Sequence, residues 1–343
     1  MKPANLSWSA LLLVAGAAGA CGPAAGPPTM MITTPLEAEP PRPPGRVVAA
    51  GSTSPALESV RDERFSRRAP RATALLIVEV QGLESLYRAT PMASPDRPKL
   101  LRRLAENYAE LALAAERELA QQALATAARS PSLDRRVTAA RAEAIAHYQI
   151  LDDEYPRWCA VPSAGDPATG TGCADEVLYY LGLTAERAGQ LDLARRSYLS
   201  VVQDHPQSRF IPAAYLAFGE LFRAEADKDR SKLPLARQAY LEVVTYPPPE
   251  NHVYGYAQYR LAEVHALEGD DPEALSCLVK AVLHARASGD GTGLADAARR
   301  ELVAVYARAG DPAKARAFFA QVASSAEELE AMEKELSRRR QAP

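Results

Sequence analysis

Five histidines, His147, His205, His252, His265 and His284, are the residues to question first for catalysis or metal binding. None stands at the spacing of a metal pair, and neither HExxH nor His-x-His occurs. His265 and Glu268, one helical turn apart, come nearest to an acid–base couple, and a helical packing position accounts for that histidine. Carboxylates gather at Asp152-Asp153-Glu154 and Glu327-Glu328, where such runs solvate helix ends. GDGTG at 289–293 lacks the Lys-Ser/Thr of a phosphate loop and follows no strand, so it reads as a turn between helices. Cys159 and Cys173 flank CAVPSAGDPATGTGC, a stretch without helical period. In an oxidising compartment they can close a disulfide worth roughly 3 kcal/mol of lost loop entropy; two unpaired thiols are the alternative. No CxxC or paired His turns them into a zinc site. The chemistry that remains is binding, and the sequence predicts no enzyme, no metal and no cofactor.

The elements that would position binding groups are helices. Of 343 residues 47% are apolar but only 6% aromatic, a profile rich in Ala and Leu that suits stacked helices better than sheets. A net charge of −3 supplies no basic field for nucleic acid. Arg67-Arg68, Arg102-Arg103 and Arg338-Arg339-Arg340 read as solvated faces or chain ends. Helical texture starts at Thr73. Leu75, Leu76, Val78, Val80, Leu83, Leu86 and Tyr87 make a first amphipathic segment that ends before Pro91. A longer one runs from Pro98 to about Arg129, with Leu101, Leu104, Tyr108, Leu111 and Leu119 on one side. Residues 73–156 form an N-terminal helical part, followed by a loop at 157–173. Cys277 falls in an apolar helix and reads as buried.

The N-terminus carries Lys2, an apolar run from Leu11 to Ala20, and the small residues Ala18-Gly19-Ala20 before Cys21. The run is too short to span a bilayer. Small residues before a cysteine, with Gly22 and a Pro-rich stretch after it, resemble the lipobox of bacterial lipoproteins, with Ala18 where Leu is usual. The resemblance implies a signal peptide at 1–20 and an acylated Cys21 that anchors the chain to a membrane. Residues 21–72, densest in Pro at PPRPPG (40–45), read as a disordered, extended tether.

Repeats decide the expected fold. Leu181-Gly182 are followed by Gly189, Ala194, Tyr198 and Pro206. A second unit has Phe218-Gly219, Phe222, Ala236, Tyr240 and Pro248, with extra residues at DKDRSK (227–232). A third has Leu261-Ala262, Gly269, Ala274 and Ala281, with His265 and Leu278 where aromatics are usual. A fourth has Leu302, Tyr306, Gly310, Ala315 and Phe319. A divergent first unit pairs Leu104-Ala105 and Tyr108 with Ala144, Tyr148 and Pro156. This pattern resembles the tetratricopeptide repeat (TPR) family, whose unit is about 34 residues of two antiparallel helices. Its small residues allow close helix approach, its aromatics fill the gaps, and Pro ends the second helix. The expectation is an all-α, TPR-type helical-hairpin solenoid. It has four repeats at 174–323 and a capping helix and tail at 324–343, where Ser325 and Glu328 can form a capping box.

In such solenoids the first helices of the repeats line a groove. Carrying those positions over proposes Tyr179, Arg187, Glu220, Arg223, Tyr256, Tyr259, Glu263, Arg300 and Arg308 as a partner-binding groove for an extended peptide or a helix. The Lys/Asn clamp of chaperone-tail receptors is missing. HPQSRFIPAAYLAFGE (205–220) looks like a junction of TPR proteins in outer-membrane assembly and the Tol-Pal system. SPDRPKLLRRLAENYAEL (94–111), with LIVEVQGLESLY (76–87), resembles a segment of TPR proteins in myxobacterial gliding machinery. Together these imply a non-enzymatic scaffold of a bacterial envelope complex, anchored to the outer membrane with its folded part in the periplasm. Its partners would be envelope proteins or peptides, and neither nucleic acid nor a small-molecule substrate. The alternative is an accessory lipoprotein that binds unfolded clients during outer-membrane protein assembly or transport.

Overall fold

Gly and Pro, scarce within the apolar-periodic stretches and frequent between them, cut the chain into helices joined by short turns. The computed structural model describes residues 59–62, 64, 70–126, 130–158, 174–289 and 293–341, all within one compact unit, Ser54–Pro343. The run at 1–20 expected to be a signal peptide, and Cys21, Cys159 and Cys173, lie outside the described residues.

Twelve α-helices and no strand occur among the described residues. The N-terminal part supplies α1 (Thr73–Ala89), α2 (Arg97–Thr126) and α3 (Pro131–Glu154). Then come α4 (Ala174–Arg187) with α5 (Leu191–Asp204), α6 (Ile211–Ala226) with α7 (Leu233–Thr245), and α8 (Tyr254–Glu268) with α9 (Asp271–Ala287). The chain closes with α10 (Leu294–Ala309), a five-residue α11 (Ala315–Phe319) and α12 (Ala326–Gln341). The extra residues at DKDRSK form a turn and a 3-10 stretch, Arg230–Lys232.

Each helix packs on its neighbours in sequence, and α8 also touches α6 and α10, so the first helices of successive hairpins line up. This is an all-α solenoid. The small–aromatic pairs sit where close approach needs them. A Cβ on Gly182 would lie 2.7 Å from the Tyr198 ring, and one on Gly219 would run into the Tyr240 ring. Tyr148, Tyr198, Tyr240 and Phe319 are fully buried.

Both ends depart from a full repeat. In the last hairpin α11 is too short to cover α10, and α12 packs on α10 in addition. Met332 and Leu336 are buried there. The amide of Glu328 donates to Ser325 Oγ at 3.2 Å, while the Glu328 carboxylate takes the Ser324 amide at 2.6 Å, a capping box shifted by one residue. At the other end α1 buries Leu76 and Val80 against α2 but leaves Leu75, Val78 and Leu86 exposed. Cys277 is buried on α9, as expected, and burial pushes its thiol up to about 11.

Candidate protein-interaction surface

In ADEVLYYLGLTAER, the sequence of α4, Asp175 and Glu176 occupy the first turn and Arg187 the last, matching the helix dipole. Gly189, at φ +76°, reverses the chain, and the Gln190 amide reaches back to the Ala185 carbonyl at 2.8 Å. Every residue from Glu176 to Ala185 is buried. A helix buried on all sides must be covered on all sides. Helices α3 and α5 cover two of them. Part of the rest is closed by the chain's own Arg61, Asp62 and Arg64.

This short segment, a 3-10 turn at Ser59–Arg61 and the residues after it, is held chiefly by charge. The Arg61 guanidinium forks onto Glu186 at 2.8 and 2.6 Å, and the Arg61 carbonyl accepts from the Tyr179 hydroxyl at 2.7 Å. Asp62 accepts from Arg187 at 2.6 Å and from Arg64 at 2.9 Å. Arg64 lies 3.9 Å over the Tyr180 ring. Arg61 and Asp62 are buried. Burial alone would raise the Asp62 carboxyl, but Arg64 and Arg187 hold it far below the ordinary carboxylate range. Glu186 is likewise held down against its burial, by Arg61 and by the Tyr198 hydroxyl, which donates to it at 2.8 Å.

The next hairpin repeats the arrangement with different donors. The Tyr240 hydroxyl donates to Glu220 at 2.7 Å, and Glu220 takes Arg260 of α8 at 2.6 Å. Arg260 also binds Glu263 at 2.7 Å and lies 5.2 Å from the Tyr256 ring centre. Two Tyr–Glu–Arg chains thus stand along the same series of first helices. In one the arginine comes from the following repeat; in the other it comes from the N-terminal segment.

The nine residues expected to line the groove divide accordingly. Glu220, Tyr256 and Glu263 are brought together through Arg260, and Tyr259 is half-buried beside Glu263, its phenol pushed up by burial. Tyr179 and Tyr256 are each 1% exposed, so their rings support the surface from within instead of presenting to a partner. The Tyr256 hydroxyl has no hydrogen-bond partner among the described residues. Arg187 is engaged by Asp62, Arg223 pairs with Asp227 at 2.8 Å, and Arg308 reaches Asp271 at 2.7 Å. Arg300 is exposed on α10. Sequence reading missed Arg260, whose i, i+3 spacing to Glu263 was visible, and Arg61, Asp62, Arg64 and Glu186. Within the stretch read as tether, SVRDER is a Pro-free run of mixed charge, the one local signal that could have marked it. His265 is buried, with Asp270 at 3.4 Å as its acidic neighbour in place of Glu268. Elsewhere, a cavity of about 380 Å³ opens between α1 and α2. Its arginines are engaged by carboxylates, Arg71 by Glu79 and Glu110 and Arg102 by Glu106 and Glu176.

No curated protein matches the chain. Residues 176–208, from α4 to the turn after α5, match the tetratricopeptide repeat family. The α4–α5 hairpin is therefore a tetratricopeptide repeat, and the stack around it is an all-α, TPR-like solenoid, a protein-interaction module.

Proposed function

We propose that the chain is a non-enzymatic scaffold of a bacterial envelope complex, docking partners along the first helices α4, α6 and α8. One observation carries the docking reading: this face already holds a short turn of the chain, carrying Arg61, Asp62 and Arg64, by a main-chain carbonyl and three charged side chains. A surface that grips main chain and side chains together is suited to peptide or loop ligands. The envelope setting rests on the lipobox-like run before Cys21 and on the likeness of 205–220 and 94–111 to segments of envelope TPR proteins. Those same segments support a place in trans-envelope, motility-like machinery, with Cys21 acylated at the outer membrane and the solenoid in the periplasm. Crosslinking in native membranes followed by affinity capture tests it. Folded envelope proteins in fixed stoichiometry are the expected catch. A catch of many unfolded outer-membrane chains would replace the scaffold with an assembly accessory, and no protein at all would remove both.

A further inference from the structure

We propose that the stretch carrying Arg61, Asp62 and Arg64 is a built-in occupant of the α4 site, and that the partner docks there by displacing it with an Arg-Asp-x-Arg stretch of its own. The inference rests on the scaffold reading above and names the chemistry of its ligand.

The argument starts from what the solenoid does and does not supply. Glu220 receives its guanidinium from inside the stack, because Arg260 stands just before Leu261-Ala262 on α8. The residue just before Phe218-Gly219 on α6 is Ala217, fully buried and without charge. Glu186 lies one turn further along α4 than Glu220 does along α6, yet it carries the same tyrosine donor. Its arginine must come from elsewhere, and Arg61 provides it.

The contacts also set a code. Glu186 reads an arginine, Arg187 reads the acid that follows, and the Tyr180 face reads a second arginine two residues on. Tyr179 reads the main-chain carbonyl between them. Removing the segment takes the arginine from Glu186 and the carboxylate from Arg187, both part-buried with it in place, which is unfavourable, whereas replacing it with the same charges costs little. The site therefore rejects most peptides and tolerates exchange for a matching one. The cis segment is joined to α1 by about eight residues, so its effective concentration is on the order of millimolar and weak trans ligands are excluded.

The test uses the full chain carrying Arg61→Ala, Asp62→Ala and Arg64→Ala together. The probe is a fluorescein-labelled peptide of residues 56–67, read by anisotropy. The variant should bind it roughly tenfold or more tighter than the wild type, whose site is filled in cis. A peptide carrying Arg61→Glu, Asp62→Lys and Arg64→Glu should bind neither. Equal affinity for the two proteins, both helical by circular dichroism, overturns the proposal. Should the triple variant fail to fold, a protease site replacing residues 65–69 is cut after folding. The severed segment should then exchange for the labelled peptide, and a cut protein that takes up no peptide overturns the proposal. Envelope partners captured equally well by wild type and variant would sink displacement and leave the scaffold standing. Peptide exchange without any captured protein would do the reverse.

Discussion

The Arg61 guanidinium grips the Glu186 carboxylate with both prongs across 125 residues of chain. It fills a place that Arg260 fills for Glu220 one repeat later. Because Arg61 is buried and Glu186 partly so, the pair is shielded from salt better than a surface bridge, and breaking it on one side leaves a charge without its partner.

That burial fixes a pH response. Asp62 faces Arg64 and Arg187; Glu186 faces Arg61, Arg187 and the Tyr198 hydroxyl. Both carboxyls are held below their ordinary values in the folded chain. Their stabilisation is therefore complete above the unfolded values, near pH 4, and is lost as pH falls through the folded ones. Hydrogen exchange of the Arg61, Asp62 and Arg64 amides, corrected for intrinsic rate, should stay slow down to about pH 5 and quicken only below about pH 4. Quickening that begins near neutrality would contradict the assignment.

Gly182 and Gly219 face the Tyr198 and Tyr240 rings with no room for a methyl group. Gly182→Ala and Gly219→Ala should each destabilise by about 1–3 kcal/mol, the range of overpacked cores. Denaturant unfolding measures it; a neutral result would mean that the hairpins can spread at no cost.

Packing residues and open groove residues should separate cleanly. Tyr198→Ala should cost about 3–5 kcal/mol, as large aromatics do in cores. Arg300→Ala, exposed on α10, should stay within about 0.5 kcal/mol and can alter partner capture alone. Thermal melts of the two variants are the comparison.

The Cys277 thiol, buried and raised to about 11, is almost wholly protonated at pH 8. Peptide mapping after brief maleimide treatment should find Cys277 unlabelled in the native protein and labelled in denaturant. Native labelling would place it outside the packed helix. The same non-reducing map tests the proposed Cys159–Cys173 link.

Cys21→Ser should release the protein from membranes and abolish detergent partitioning. An intact mass that begins at residue 21 without added lipid would leave an unanchored exported protein.

What the sequence disclosed follows from where the constraint lies. Gly182 with Tyr198, and Gly219 with Tyr240, are legible because close helix approach demands a small residue and a large one at set spacing. The groove was legible only as a series of helix positions. Whether Tyr256 points outward or is sealed depends on α6 and α10 beside it, which no local period encodes. The hold on α4 by Arg61, Asp62 and Arg64 left only one trace, the charged run SVRDER. Charged residues in a stretch classed as tether carry no periodic signature, and their partners lie more than a hundred positions away.

That separation also sets an order of events. Each hairpin can close as soon as its own residues are made, since its contacts are to neighbours in sequence. Arg61, synthesised early, has no Glu186 to meet until α4 and α5 have formed, and a loop of 125 residues must then be drawn shut. The α4 site is thus born vacant. During that interval a partner already waiting would meet it before the chain's own segment does, and the history of assembly, as well as affinity, would decide which of the two is seated.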